Sequence, residues 1–123
     1  SKIISLPAYH PHIRFEVMLA GAPPEIVKEL GAKGWHVHNA LEEVADAGAY
    51  RRYIYASSGE FGVAKETYVK SNSGWFSCRS ACYLAAGRPV IAQDTGWSKI
   101  LPSGEGVYAA QKPPVIRKAI EKV

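Results

Sequence analysis

Residues 77–93, SCRSACYLAAGRPVIAQ, leave few choices of fold. Ser77 supplies an N-cap oxygen, Cys78 to Ala86 run as a small-residue helix, and Gly87 can close it in the left-handed conformation. Pro89-Val90-Ile91-Ala92 then form a short apolar run of the kind that is buried in a parallel sheet with helices covering both faces. A helix that feeds straight into such a strand is half of a right-handed crossover, so the chain predicts an α/β architecture.

The flanking segments fit that scheme. Phe15, Val17 and Leu19 alternate with Glu16 and Met18 over 14–20 as a first strand, and Trp35 and Val37 alternate with His36 and His38 as a second. Between them, Pro23-Pro24-Glu25 opens a helix whose Ile26, Val27 and Leu30 are expected to face the core. Asn39-Ala40-Leu41-Glu42 is a capping-box pattern, with Leu41, Val44 and Ala45 on the inner side. A further helix places Tyr50, Tyr53 and Ile54 together, with Arg51 and Arg52 outward. Phe61 and Val63 mark a third strand ending near Lys65, and residues 66–76 read as a long polar loop. Val107-Tyr108-Ala109 is the last strand, and Ile116, Ala119, Ile120 and Val123 share a face of the terminal helix.

The expected fold is therefore one Rossmann-like α/β domain over 14–123. It has a mainly parallel sheet of about five strands with helices on both faces. Residues 1–13, with Pro7 and Pro11, read as an irregular arm or linker.

A length of 123 residues suits one small domain, and 47% hydrophobic with 21% charged residues is ordinary for a globular chain. No apolar run reaches the ~18 residues of a membrane span. The net charge of +4 spreads 15 Lys and Arg among 11 acids, with no basic stripe for nucleic acid. A mild positive excess suits a small anionic ligand instead. Cys78 and Cys82, four apart on one helix, do not meet disulfide geometry and are expected as free thiols packed on the sheet in a reducing cytoplasm.

Several words keep their order along the chain: Gly59-Glu60-Phe61 with Val63-Ala64-Lys65, Tyr68-Val69-Lys70, Ser73-Gly74-Trp75-Phe76-Ser77, Arg79-Ser80-Ala81-Cys82-Tyr83-Leu84-Ala85-Ala86-Gly87-Arg88-Pro89, Gln93-Asp94-Thr95-Gly96 and Gly104-Glu105-Gly106. From about Gly34 to Val123 the chain resembles the C-terminal domain of bacterial glycosyltransferases of the two-Rossmann, GT-B type. The resemblance implies a domain that binds a nucleotide-diphosphate sugar; no cofactor is expected, and the histidines, without a carboxylate or Cys at ligand spacing, predict no metal site. The acceptor site and usually the catalytic base of such enzymes lie on an N-terminal domain that these 123 residues do not include. The chain alone is then expected to lack complete transferase activity. It departs from the best-known GT-B pattern, whose two glutamates eight positions apart align with Gly74 and Cys82, so the usual ribose and sugar contacts do not carry over.

Ligands of open α/β sheets bind outside the carboxyl ends of the strands, which brings two polar loops to one rim. Lys65 there can reach a phosphate or remain a solvated surface cation. Arg79, a cation in a first helical turn, opposes the dipole and gains from a phosphate or from Glu60 or Glu66. Ser73, Gly74 and Ser77 can offer hydroxyls and N–H groups to an anion. Trp75 and Tyr68 either stack on a base or anchor the loop. Asp94, with Thr95 and Gly96 beside it, accepts from a sugar hydroxyl or makes an Asx-turn, and Glu105 binds ribose hydroxyls or caps the terminal region. No GxGxxG or GxxxxGK[ST] motif supports an NAD domain or a P-loop. His36 and His38, like His10 and His12, read as surface histidines. The alternative to the transferase half is a non-enzymatic module, either a stand-alone binding protein or one that self-associates, for instance as a homodimer, through a face left uncovered.

Overall fold

The structure, a computed structural model, describes residues 3–111 and 113–122, without side-chain detail at 113, 114 and 122. Val123, expected on the inner face of the terminal helix, lies outside the described residues. The chain divides into two compact units, Ser1–Tyr53 and Ile54–Val123. The order is α1 (Leu6–Tyr9), β1 (Glu16–Leu19), α2 (Pro24–Ala32), β2 (His36–Asn39), α3 (Ala40–Glu43), α4 (Ala47–Ala56), β3 (Glu60–Gly62), α5 (Glu66–Lys70), α6 (Cys78–Ala85), β4 (Val90–Gln93), β5 (Val107–Ala110) and α7 (Pro113–Lys122). The class is α/β and every strand pair is parallel.

One expectation is corrected. Among the described residues the five strands make two parallel sheets in place of the single one: β1 pairs with β2, and β3-β4-β5 make a sheet of three. The division falls inside α4, the helix that would have served as the crossover from β2 to β3.

In the first unit a two-stranded ribbon of four-residue strands would be marginal alone. Aromatic packing supplies what the ladder lacks. Phe15 and Trp35 are buried edge to face with centroids 5.4 Å apart, and the ring of buried His10 lies 6.3 Å from Phe15. Trp35 Nε1 donates to the Ile4 carbonyl at 2.8 Å, and Leu6 is fully buried. Residues 3–13 are thus docked, with Pro7 in the first turn of α1, where its missing N–H costs nothing. Other expectations fail here. Ile26 and Val27 of α2 are exposed, as is Leu41 at 66%, although Asn39 caps α3 through the Leu41 N–H. Val17 and Val37 are half-buried.

In the second unit β4 is central, and Val90, Ile91 and Ala92 are all buried, as a wholly apolar strand requires. Helix α6 packs on β3 and β4, and α7 on β4 and β5 through buried Ile116 and Ala119. Ser77 Oγ accepts the Arg79 N–H at 3.2 Å, capping α6. Gly87 (φ 72°) closes it with Arg88 N–H bonded to the Tyr83 carbonyl. Cys78 and Cys82 are free but exposed, not packed on the sheet.

Candidate functional site

All three strands of the second sheet run the same way, so Gly62, Gln93 and Ala110 mark its carboxyl edge. A narrow cleft opens there between the residues after β3, the first turn of α6 and the end of β4, with Val63, Trp75, Ser77, Arg79, Gln93 and Trp97 among its lining. It encloses about 10 Å³, the space of one water, against several hundred cubic ångströms for a typical ligand pocket.

The inner wall is tightly tied. Gln93 Oε1 accepts the Ala64 N–H at 3.0 Å, holding the chain beyond β3 against β4. The Gln93 carbonyl accepts Trp97 Nε1 at 3.0 Å, and Trp97, 2% exposed, meets Phe76 edge to face. Thr95 is fully buried: its Oγ1 donates to the Trp75 carbonyl at 2.7 Å and its carbonyl accepts the Gly74 N–H at 2.9 Å. Gly96 adopts φ 102°, and a Cβ there would lie 3.3 Å from the Asn72 carbonyl oxygen, so only glycine lets the two loops approach this closely.

Several residues expected to meet a ligand are occupied within the protein. Asp94 forms the Asx-turn: Oδ1 accepts Gly96 N–H at 2.8 Å, and Oδ2 accepts Ser98 Oγ at 2.6 Å. Ser73 Oγ accepts the Trp75 N–H, so the N–H groups of Gly74 and Trp75 turn into the fold instead of cradling an anion. Tyr68 and Trp75 stack on each other at 5.3 Å, and Trp75, 41% exposed, is among the cleft lining. The expected polar loop contains α5, and Lys65 stands exposed at its N-cap position instead of ending β3. Glu105 lies in the turn before β5, at the amino edge, away from the other residues.

Ser77 and Arg79 stay at the cleft. Arg79 is half-exposed and its Nε binds the Glu60 carboxylate, whose side chain is only 7% exposed. Glu60 Oε2 has no partner among the described residues. The ion pair to Glu60 is one of the two partners the sequence offered for Arg79, whereas Gln93 did not stand out in the sequence as a rim residue. The available signal was a polar residue ending an apolar strand. No group of three His, Cys, Asp or Glu among the described residues is arranged to hold a metal ion, and none of their helices is long and apolar enough to cross a membrane.

Burial would raise the Asp94 carboxyl, but hydrogen bonds from Ser98 and Gly96 and the Lys99 charge outweigh it and hold the group below its ordinary value. In the first unit burial likewise opposes, and Arg14, Tyr53 and His38 outweigh it, for Glu16. A carboxyl depressed on folding adds stability above its unfolded value, near pH 4, and loses it as pH falls through the folded value. Urea midpoints should therefore fall on acidification below about pH 4.5. Asp94→Asn should cost about 1–2 kcal/mol at neutral pH and clearly less near pH 2–3. An equal deficit at both pH values would remove the ionic part of this account.

No protein-family model, curated protein or solved structure matches the chain.

Proposed function

We propose that the second unit is the donor-binding part of a glycosyltransferase, taking a nucleotide-diphosphate sugar at the carboxyl edge of β3 and β4. One observation carries this reading: the half-exposed Arg79 guanidinium and the capped α6 start line one cleft with the partly exposed Trp75. A diphosphate gains charge-assisted hydrogen bonds at such a place, and a base gains a stacking partner in Trp75. The ordered sequence words from Gly59 to Gly106 supply the rest of the support. Lys65, at the mouth of α5, provides a second cation for a ligand that extends past the cleft.

A slit of this size binds only when Trp75 or Arg79 moves outward, which subtracts from affinity. The expected Kd for UDP or GDP is about 0.1–1 mM, roughly 4–5.5 kcal/mol. An NMR titration should move resonances of 62–65, 75–80 and 93–97. Arg79→Lys, which keeps a partner for buried Glu60, should weaken binding several-fold; Arg79→Ala is a poorer test because it strands that carboxylate. No shift in those segments at several times the expected Kd would overturn the reading. The 123 residues alone should turn over no nucleotide sugar, because transfer requires both reactants held in register.

The non-enzymatic, self-associating module keeps one observation in its favour. Ile26 and Val27 on α2 and Leu41 on α3 are exposed apolar side chains in the first unit, as Ile100 and Leu101 are in the second. Sedimentation at rising concentration separates the readings, since this one requires a homodimer and no nucleotide response.

A further inference from the structure

We infer that the first unit carries a second, separate anion site, which takes a small phosphorylated molecule. A groove of about 420 Å³ runs between residues 7–14 and the turn joining α2 to β2. Arg14, Lys33, His12 and His36 line it, and no carboxylate is among its described lining residues. Two of the chain's 15 Lys and Arg, Arg14 and Lys33, meet two imidazoles around one concavity with no acid among its described lining residues, a local arrangement that attracts anions. The volume lies within the range of small-molecule sites, and it exceeds what a bare phosphate fills. Pro11 and Ile13 supply an apolar wall for the rest of the ligand.

The groove's walls are held by packing. Trp35 Nε1 holds the Ile4 carbonyl, and Gly34 (φ 91°) sits so close to Pro7 that a Cβ would lie 3.0 Å from the proline Cβ. The basic groups thus project from a docked scaffold, a condition for recognition by phosphate contacts. Arg14 gives its Nε to Glu16 at 2.6 Å and remains 61% exposed, which orients a guanidinium that still offers other donors. His12 and His36 are exposed, and each carries an N–H donor whether or not it is charged. Lys33, the C-cap of α2, is exposed and lines the groove.

The groove sits at the amino ends of β1 and β2, where Arg14 and Lys33 precede the strands. It is therefore distinct in kind from a carboxyl-edge nucleotide site, and it stands or falls independently of the donor-binding reading.

The test is an NMR titration of the whole chain with inorganic pyrophosphate and with phenyl phosphate. Both should shift resonances of 8–14 and 33–36 with Kd on the order of 1 mM, and phenyl phosphate should bind a few-fold tighter through the apolar wall. Lys33→Glu should weaken pyrophosphate about tenfold, and His12→Ala several-fold. Lys28→Glu, an exposed change on α2 away from the groove, should leave the affinity within twofold. Circular dichroism confirms that each variant is folded. No shift in those segments at about ten times the expected Kd overturns the proposal. Equal weakening by Lys33→Glu and Lys28→Glu also overturns it, since that is general charge attraction.

Discussion

Trp97→Ala should cost about 3–5 kcal/mol, the loss expected when a large aromatic leaves a closed core. Against a typical total of about 5–15 kcal/mol, that leaves the second unit close to unfolding at room temperature. Three contributions disappear together. The ring is 2% exposed, it meets Phe76 edge to face at 5.2 Å, and its Nε1 donates to the Gln93 carbonyl. Trp97→Phe separates them, because it keeps most of the volume and strands the Gln93 carbonyl; it should cost about 1–3 kcal/mol. Urea denaturation followed by circular dichroism reads both. A deficit below 1 kcal/mol for the alanine variant would mean that the 3-10 turn Trp97–Lys99 is not packed as described.

A comparably large effect is expected at Gly59, from the addition of a single methyl group. Its φ is not in the left-handed region, so the constraint there is space alone. A Cβ would lie 2.8 Å from the Pro89 carbonyl oxygen, the same oxygen that accepts the Glu60 N–H at 2.9 Å. Gly59→Ala must therefore push β3 away from β4 or break the first rung between them, at about 2–3 kcal/mol. Gly62, three residues on, is the control. Its nearest neighbour is the flexible end of Arg79 at 3.5 Å, so Gly62→Ala should be within about 0.5 kcal/mol of wild type. Equal losses at the two glycines would show that β3 and β4 do not approach this closely.

Much of the second unit was legible because its signals are local. A Ser cap, a left-handed glycine and a strand of three apolar residues define α6 and β4 with no long-range information. Other features were hidden for physical reasons. Pro7 and Pro11 look like linker residues, while the ring of buried His10 lies against Phe15 and Trp35 holds the Ile4 carbonyl, links between the arm and the strands that no periodicity reveals. Ile26, Val27 and Leu41 show helical spacing, yet spacing says which side is apolar and nothing about whether anything covers it. At the candidate site, Asp94 and Thr95 have the right chemistry for a sugar. Thr95 instead ties its loop to Trp75, twenty residues away, which no local pattern reveals, while Asp94 closes the local Asx-turn that the sequence held open as the alternative.

Every strand pair closes over a short stretch of chain: Glu16 opposes His36, Glu60 opposes Val90, and Val90 opposes Val107. Parallel pairing is usually slow because distant segments must meet before any contact repays the lost chain entropy. Here no ladder spans more than about thirty residues, and each lies within one of the two units. Each sheet can therefore form on its own schedule, in the range of milliseconds. Stopped-flow refolding followed by tryptophan fluorescence, with Trp75 replaced by Phe so that Trp35 and Trp97 report, should resolve a phase for each sheet.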